Sequence, residues 1–152
     1  MSYALKPLSR GTGSHTQDYD NKSSITSSSA SCYILVLDDE PDTTSLIENA
    51  LQRNGYNVFG FTDPLLALEH FKLNSKNYSL VISDLRMPVM NGFEFIMNIR
   101  HSRPEIRIVI MTAFNVNDDS EFAMHFEAQK IDGFIQKPIS LQRLNEIISQ
   151  II

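Results

Sequence analysis

The chain has 152 residues, 42% of them apolar, and a formal net charge of −5. That length suits one domain with a packed core, and the acidity leaves no basic face for unspecific binding to nucleic acid. The single cysteine, Cys32, cannot form an internal disulfide, no apolar run reaches the ~20 residues of a membrane helix, and the N-terminus has no secretory signal, so the expectation is a cytoplasmic protein off the membrane.

Residues 1–31 differ in kind from the rest. They hold nine serines and no Val, Phe or Trp, and such a segment cannot bury enough apolar surface to offset its conformational entropy. It is expected to be a disordered leader, with a regulatory or docking tail as the other reading. Its charges sum to +1, which places −6 on residues 32–152, the expected folded domain.

From Tyr33 onward, strand-length apolar runs alternate with segments of helical period. Tyr33–Leu37 predicts a buried strand by length and branched residues. Pro41 suits a first helical turn, with Leu46, Ile47, Ala50 and Leu51 on one face until Gly55 stops the helix. Tyr56–Phe61 predicts a second strand. Asp63-Pro64 predicts an N-cap and N1 proline, opening a helix with Leu65, Leu68 and Phe71 inward. Leu80–Ile82 is the third strand, and the helix after Asn91-Gly92 carries Phe93, Ile96, Met97 and Arg100. Ile106–Met111 is the fourth strand, Asp118–Gln129 the fourth helix and Gly133–Ile135 a short fifth strand. Ser140 caps a last helix with Leu141, Leu144, Ile148 and Ile151 at helical spacing. Five βα units point to a doubly wound α/β domain with a parallel sheet covered on both faces.

In open α/β sheets ligands bind beyond the carboxyl ends of the strands. There the first strand runs into Asp38-Asp39-Glu40, the third into Ser83-Asp84, the fourth into Thr112 and the fifth into Lys137-Pro138. A pair of carboxylates at ~4 Å repels by about 4 kcal/mol at an effective dielectric near 20. Three acids and one lysine leave a net −2, which a hard divalent cation with a taste for oxygen cancels. Metal, lysine and hydroxyl together suit phosphoryl transfer, where catalysis is mostly positioning and charge neutralisation.

The stretches Val36–Pro41, Val81–Gly92, Met111–Ala113 and Phe134–Pro138 closely resemble the receiver domains of two-component response regulators, over about residues 32–152. The resemblance implies a flavodoxin-like (βα)5 fold with strand order 2-1-3-4-5. It makes Asp84 the phosphoacceptor, supplied by a sensor histidine kinase or histidine phosphotransfer protein. It assigns Mg2+ to Asp38, Asp39, Asp84 and the carbonyl of Arg86. Lys137, through a Lys137-Pro138 bond expected to be cis, and Thr112 would hold phosphoryl oxygens, and Thr112 with Phe134 would form the switch to a downstream protein target. Apart from self-phosphorylation and slow self-hydrolysis, no enzyme activity is implied.

Taken singly these residues say little. Asp39 would cap a helix as readily as bind metal, Thr112 would be an ordinary loop residue, Phe134 core and Lys137 a solvated cation. Their joint placement at one sheet edge carries the reading. A pseudo-receiver that never takes phosphate is the alternative, with the complete set Asp38, Asp39, Asp84, Thr112 and Lys137 against it. A haloacid-dehalogenase-type hydrolase would need a second aspartate where Arg86 stands. No output domain is expected after the last helix, and a stand-alone receiver is favoured over an excised one.

Two departures from the family pattern stand out. Thr112 and Lys137 lie 25 positions apart, longer than the resemblance leads one to expect, so a lengthened fourth helix or flank is predicted. Phe122, Ala123, Met124 and Phe126 cannot all lie on one stripe, so at least one is expected at the surface, marking an altered partner or homodimer face around the fourth and fifth helices. Arg86 and Phe114 occupy positions that tune the lifetime of the phosphoryl group in the family, and a bulky Phe114 is expected to lengthen it.

Overall fold

A computed structural model describes residues 32–115, 117 and 119–152. The expectation of disorder over 1–31 and the placing of Asp118 at a helix start lie outside the described residues. The elements in chain order are β1 (Tyr33–Leu37), α1 (Pro41–Arg53), β2 (Asn57–Phe61), α2 (Pro64–Asn74), β3 (Tyr78–Asp84), α3 (Gly92–Ser102), β4 (Arg107–Thr112), α4 (Ser120–Ala128), β5 (Gly133–Gln136) and α5 (Leu141–Ile151). The five strands form one parallel sheet in the order β2-β1-β3-β4-β5. This is the flavodoxin-like arrangement expected from the sequence.

Alternate strand residues feed two core layers. Leu35, Leu37, Val81, Ile108 and Ile110 pack with α2, α3 and α4, whereas Ile34, Val36, Leu80, Ile82, Val109 and Met111 pack with α1 and α5. The strands are apolar on both faces because both faces are covered. At the amino edge of the sheet Tyr78 is buried, and its hydroxyl lies 2.8 Å from Nδ1 of His70.

Helix signals behave as expected at several ends. Asp63 accepts a hydrogen bond from the Leu65 amide, Asn91 from Glu94 and Ser140 from Arg143. Gly55, at φ +88°, follows the end of α1, in a conformation that costs glycine little.

Several helical faces need correction. Leu46, Leu65, Met97 and Leu141 are 46%, 54%, 53% and 39% exposed. The inward positions are Thr44, Ile47 and Leu51 on α1, Pro64, Ala67, Leu68 and Phe71 on α2, Phe93, Phe95, Ile96 and Ile99 on α3, and Leu144, Ile147 and Ile148 on α5. The physical reason is that an apolar count fixes the phase of a helix only when one face is polar, and α2 is apolar nearly all round.

The fourth helix is Ser120–Ala128 and ends before Gln129; Asp119 caps it through the amides of Glu121 and Phe122. It has nine residues, so it is not the lengthened helix that was one of the two expectations. Lys130 takes φ +50° just past its end, where glycine would be the comfortable residue. Phe122 is buried at 4%, whereas Ala123 is exposed and Met124 is 72% exposed, so two of the four clustered apolar residues reach the surface.

Candidate functional site

All five strands run the same way, so their carboxyl ends meet along one edge, and the polar residues read there in the sequence converge on one pocket. Asp39, Asp84, Arg86, Thr112, Phe114 and Lys137 are among its lining residues.

Asp38, directly after β1, is fully buried. Its Oδ1 accepts the Glu40 amide at 2.9 Å, and its carbonyl accepts the Thr44 hydroxyl at 3.0 Å. Its Oδ2 lies 2.7 Å from Lys137 Nζ as an ion pair, yet accepts no hydrogen bond of good geometry. Asp39 does not cap α1: the N-cap is Glu40, whose side chain makes no capping bond. That removes the ordinary structural role weighed for Asp39 and leaves its carboxylate in the pocket.

Asp84 is the last residue of β3 and 6% exposed. Its Oδ1 accepts the Leu85 amide at 2.9 Å, and Oδ2 sits 3.3 Å from Lys137 Nζ. Ser83 donates its hydroxyl to the Asp84 carbonyl at 2.9 Å. The start of α3 then passes so close that a Cβ on Gly92 would collide with the Asp84 carbonyl oxygen and lie 3.0 Å from Leu85 Cα. The missing side chain at Gly92 is what lets α3 approach the Asp84 backbone.

Lys137 follows β5, and its amide donates to the Thr112 carbonyl at 2.7 Å. The Lys137-Pro138 peptide is cis, as the resemblance implied. Thr112 is buried at 1%, and its Oγ1 accepts the Phe114 amide at 3.1 Å. Phe134 stands apart from the pocket at 38% exposure, with its ring edge-on to Phe122 and Phe126, each centroid 6.3 Å away.

The electrostatics follow from this crowding. Burial, and then the neighbouring Asp38 charge, push the Asp84 carboxyl up to about 6 against the opposing pull of Lys137. Burial works against the charge on Lys137, but Asp38 and Asp84 outweigh it and hold the ammonium above its ordinary range. One oxygen from each of Asp38, Asp39 and Asp84 lies within 4.8 Å of the others. Three carboxylates facing one ammonium, with Asp38 Oδ2 short of a hydrogen bond, fit a small hard cation with oxygen ligands. Arg86, whose carbonyl the resemblance offers as a further ligand, lines the same pocket.

Two features escaped the sequence reading. Thr44 continues the Ile47 and Leu51 stripe of α1, so a hydroxyl at a core position was the available signal. The Arg86 guanidinium lies 3.7 Å above the centroid of the Phe114 ring at the pocket wall, a pairing between segments far apart in sequence that no local pattern announces.

Comparison with known proteins agrees with this geometry. The transcriptional regulatory protein ZraR of Klebsiella oxytoca is 32% identical over 117 residues, 77% of this chain and 25% of that protein. The sensor kinase CckA of Brucella abortus is 28% identical over 124 residues, 82% of this chain and 13% of that protein. The chain thus spans a quarter or less of the length of these two relatives. Among solved structures, TrrA of Thermotoga maritima in complex with Mg(2+)-BeF is 29% identical with a TM-score of 0.66, covering 80% of this chain and 99% of that one. A receiver domain protein of Clostridium thermocellum is 26% identical with a TM-score of 0.71, covering 80% and 94%. Among the described residues no helix is long and apolar enough to cross a membrane. The family model of the response regulator receiver domain matches residues 34–149, and the chain belongs to that family.

Proposed function

Starting from that membership, we propose that the chain is a phosphorylatable switch in which Asp84 accepts a phosphoryl group from a phosphohistidine on a sensor histidine kinase or histidine phosphotransfer protein. The observation that carries this is the placing of Lys137 Nζ between Asp84 Oδ2 and Asp38 Oδ2, at 3.3 and 2.7 Å, in a pocket with three carboxylates.

Asp84 Oδ2 attacks phosphorus as the bond from phosphorus to the donor imidazole nitrogen breaks, and that imidazole leaves with the electron pair. Oδ1 is held by the Leu85 amide, which fixes the carboxylate plane during attack. Lys137 neutralises charge on the incoming phosphoryl oxygens. Asp38, Asp39, Asp84 and the Arg86 carbonyl would hold Mg2+, which supplies charge neutralisation for the transferred group. Thr112, buried beside the pocket, donates its hydroxyl proton to another phosphoryl oxygen, while its oxygen now accepts from the Phe114 amide. Movement of Thr112 and Phe134 shifts the population between two arrangements and so alters contacts with a downstream protein. The exposure of Met124 supports a partner or homodimer face at α4 and α5; retention of self-association and partner binding by Phe122→Ser and Met124→Ser variants would remove that reading. A cytoplasmic setting, with chemistry confined to self-phosphorylation and slow self-hydrolysis, completes the proposal.

The test is intact-protein mass after incubation with magnesium and a small-molecule phosphodonor. One phosphoryl adduct is expected, lost in Asp84→Asn and lost with chelator. No adduct, together with no binding of beryllofluoride, would make the chain a pseudo-receiver acting as a constitutive interaction module.

A further inference from the structure

Three bonds fix Asp38 in place. Its amide donates to the Phe61 carbonyl at 3.1 Å, its Oδ1 accepts the Glu40 amide at 2.9 Å, and its carbonyl accepts the Thr44 hydroxyl at 3.0 Å. Of these three partners, Thr44 alone acts through its side chain. A threonine inside a helix ordinarily bonds its hydroxyl to a carbonyl three or four residues back. The hydroxyl of Thr44 reaches six back, beyond the start of α1, while its amide takes the Glu40 carbonyl at 3.1 Å. Gly60 of β2 accounts for that direction. A Cβ at Gly60 would lie 2.6 Å from Thr44 Cγ2, so the bare glycine seats the Thr44 methyl against the strand. Methyl and hydroxyl share one χ1 rotation, and the seated methyl thereby aims the hydroxyl at Asp38.

We infer that Thr44 is a positioning residue for the cation site: seated by Gly60, its hydroxyl holds the Asp38 backbone so that the Asp38 carboxylate stays beside those of Asp39 and Asp84. The inference rests on the Mg2+-dependent reading of that site. Thr44 is buried and is not among the residues lining the pocket, so it acts through Asp38. The Glu40 amide occupies Asp38 Oδ1, which leaves Oδ2, without a hydrogen bond, as the oxygen to be aimed. Without the Thr44 hydroxyl a buried carbonyl loses a donor, and the turn shifts to replace it. Groups that orient a ligand before the metal arrives set affinity in this way. A core hydroxyl with no role beyond being satisfied would fill the same space, and only the affinity for metal separates the two.

Magnetic resonance titration of the full 152-residue chain with Mg2+ alone, read from amide shifts, makes that separation. Thr44→Val keeps the shape and removes the hydroxyl, and should raise the dissociation constant about threefold to tenfold, the size of one hydrogen bond. Thr44→Ser, which keeps the hydroxyl, should stay within about twofold of the unsubstituted chain. Ile47→Val, a loss of packing on the same face of α1, should leave the constant unchanged. Gly60→Ala should weaken binding as Thr44→Val does, and adding Thr44→Ser to it should restore binding by removing the methyl that collides. Unchanged affinity in Thr44→Val, an equal loss in Ile47→Val, or no recovery in either serine variant would each overturn the inference and leave the receiver chemistry standing. An unsubstituted chain that takes up no Mg2+ would overturn both.

Discussion

The passages from β3 into α3 and from β4 into α4 occupy equivalent places in the fold and are built differently. At the first, Asp84 is fixed by the Leu85 amide, the Leu85 amide is also within 2.9 Å of the Met111 carbonyl, and Gly92 brings α3 against the Asp84 backbone. Helix α3 then buries five residues. At the second, α4 has nine residues and buries one, Phe122, and it closes on Lys130 in a left-handed conformation. Stability is unevenly spread in proteins, and elements with few buried contacts are the ones that reorganise at small cost. The contrast separates Asp84, held rigidly, from the helix beside it, held lightly.

Five substitutions probe that contrast, beginning with the largest effect. Gly92→Ala forces a Cβ against the Asp84 carbonyl, which backbone cannot yield to cheaply. It should lower unfolding stability by about 2–3 kcal/mol in denaturant titration and slow phosphorylation of Asp84, and an undisturbed protein would show the first passage to be as loose as the second.

The next effect concerns pH. Because folding raises the Asp84 carboxyl to about 6, the folded state holds a proton over a range where the unfolded chain, with an ordinary carboxyl near 4, does not. Its contribution to stability is therefore present below pH ~4 and lost as pH rises through about 6. In metal-free buffer Asp84→Asn should gain about 1–2 kcal/mol at pH 7 and flatten the profile between pH ~4 and ~6. Magnesium should shrink the difference by offsetting the same repulsion. Thermal melts across pH, with and without the ion, check both signs.

Phe114→Ala removes the ring that the Arg86 guanidinium covers at the pocket wall, and should open a path for water to the aspartyl phosphate. Loss of the phosphoryl group is expected to accelerate by about threefold to tenfold, the size of one cation–π contact of roughly 1 kcal/mol. Arg86→Ala should act similarly and the double variant should add little, as decay of the intact-mass adduct will show.

The smallest effect is Lys130→Gly. Relieving φ +50° should stabilise the chain by about 0.5–1 kcal/mol without touching the pocket, measurable by denaturant titration, and a loss instead would mean that Lys130 contributes through its side chain.

Much of this was legible in the residues themselves. Strand runs such as Ile34–Leu37 and Val81–Ile82 are buried on both faces, so their composition announces them, and the charged residue that ends each run is conspicuous for the same reason. Asp38, Asp39, Asp84, Thr112 and Lys137 were brought to one edge by parallel strands alone. What stayed hidden has physical causes. The phase of α2 could not be read because Leu65, Leu66 and Leu73 dilute its apolar stripe. Helix α4 looked longer than it is because clustered Phe122, Ala123, Met124 and Phe126 imitate a continuous stripe, while only Phe122 is buried. The stacking of Arg86 on Phe114 depends on β3 and β4 being neighbours, which a local window does not contain.

Phe134 has one more consequence. It carries no hydroxyl, and it rests edge-on against two other phenylalanines, Phe122 and Phe126, at 38% exposure. Any second position of that ring has to be selected by apolar contact, with no hydrogen bond to weigh against it. Apolar burial carries a large negative heat-capacity change and weakens on cooling. If Phe134 is the switch aromatic proposed above, its equilibrium is tilted by temperature as well as by phosphate, and calorimetry of beryllofluoride binding at several temperatures would register the ring's burial as a slope in enthalpy.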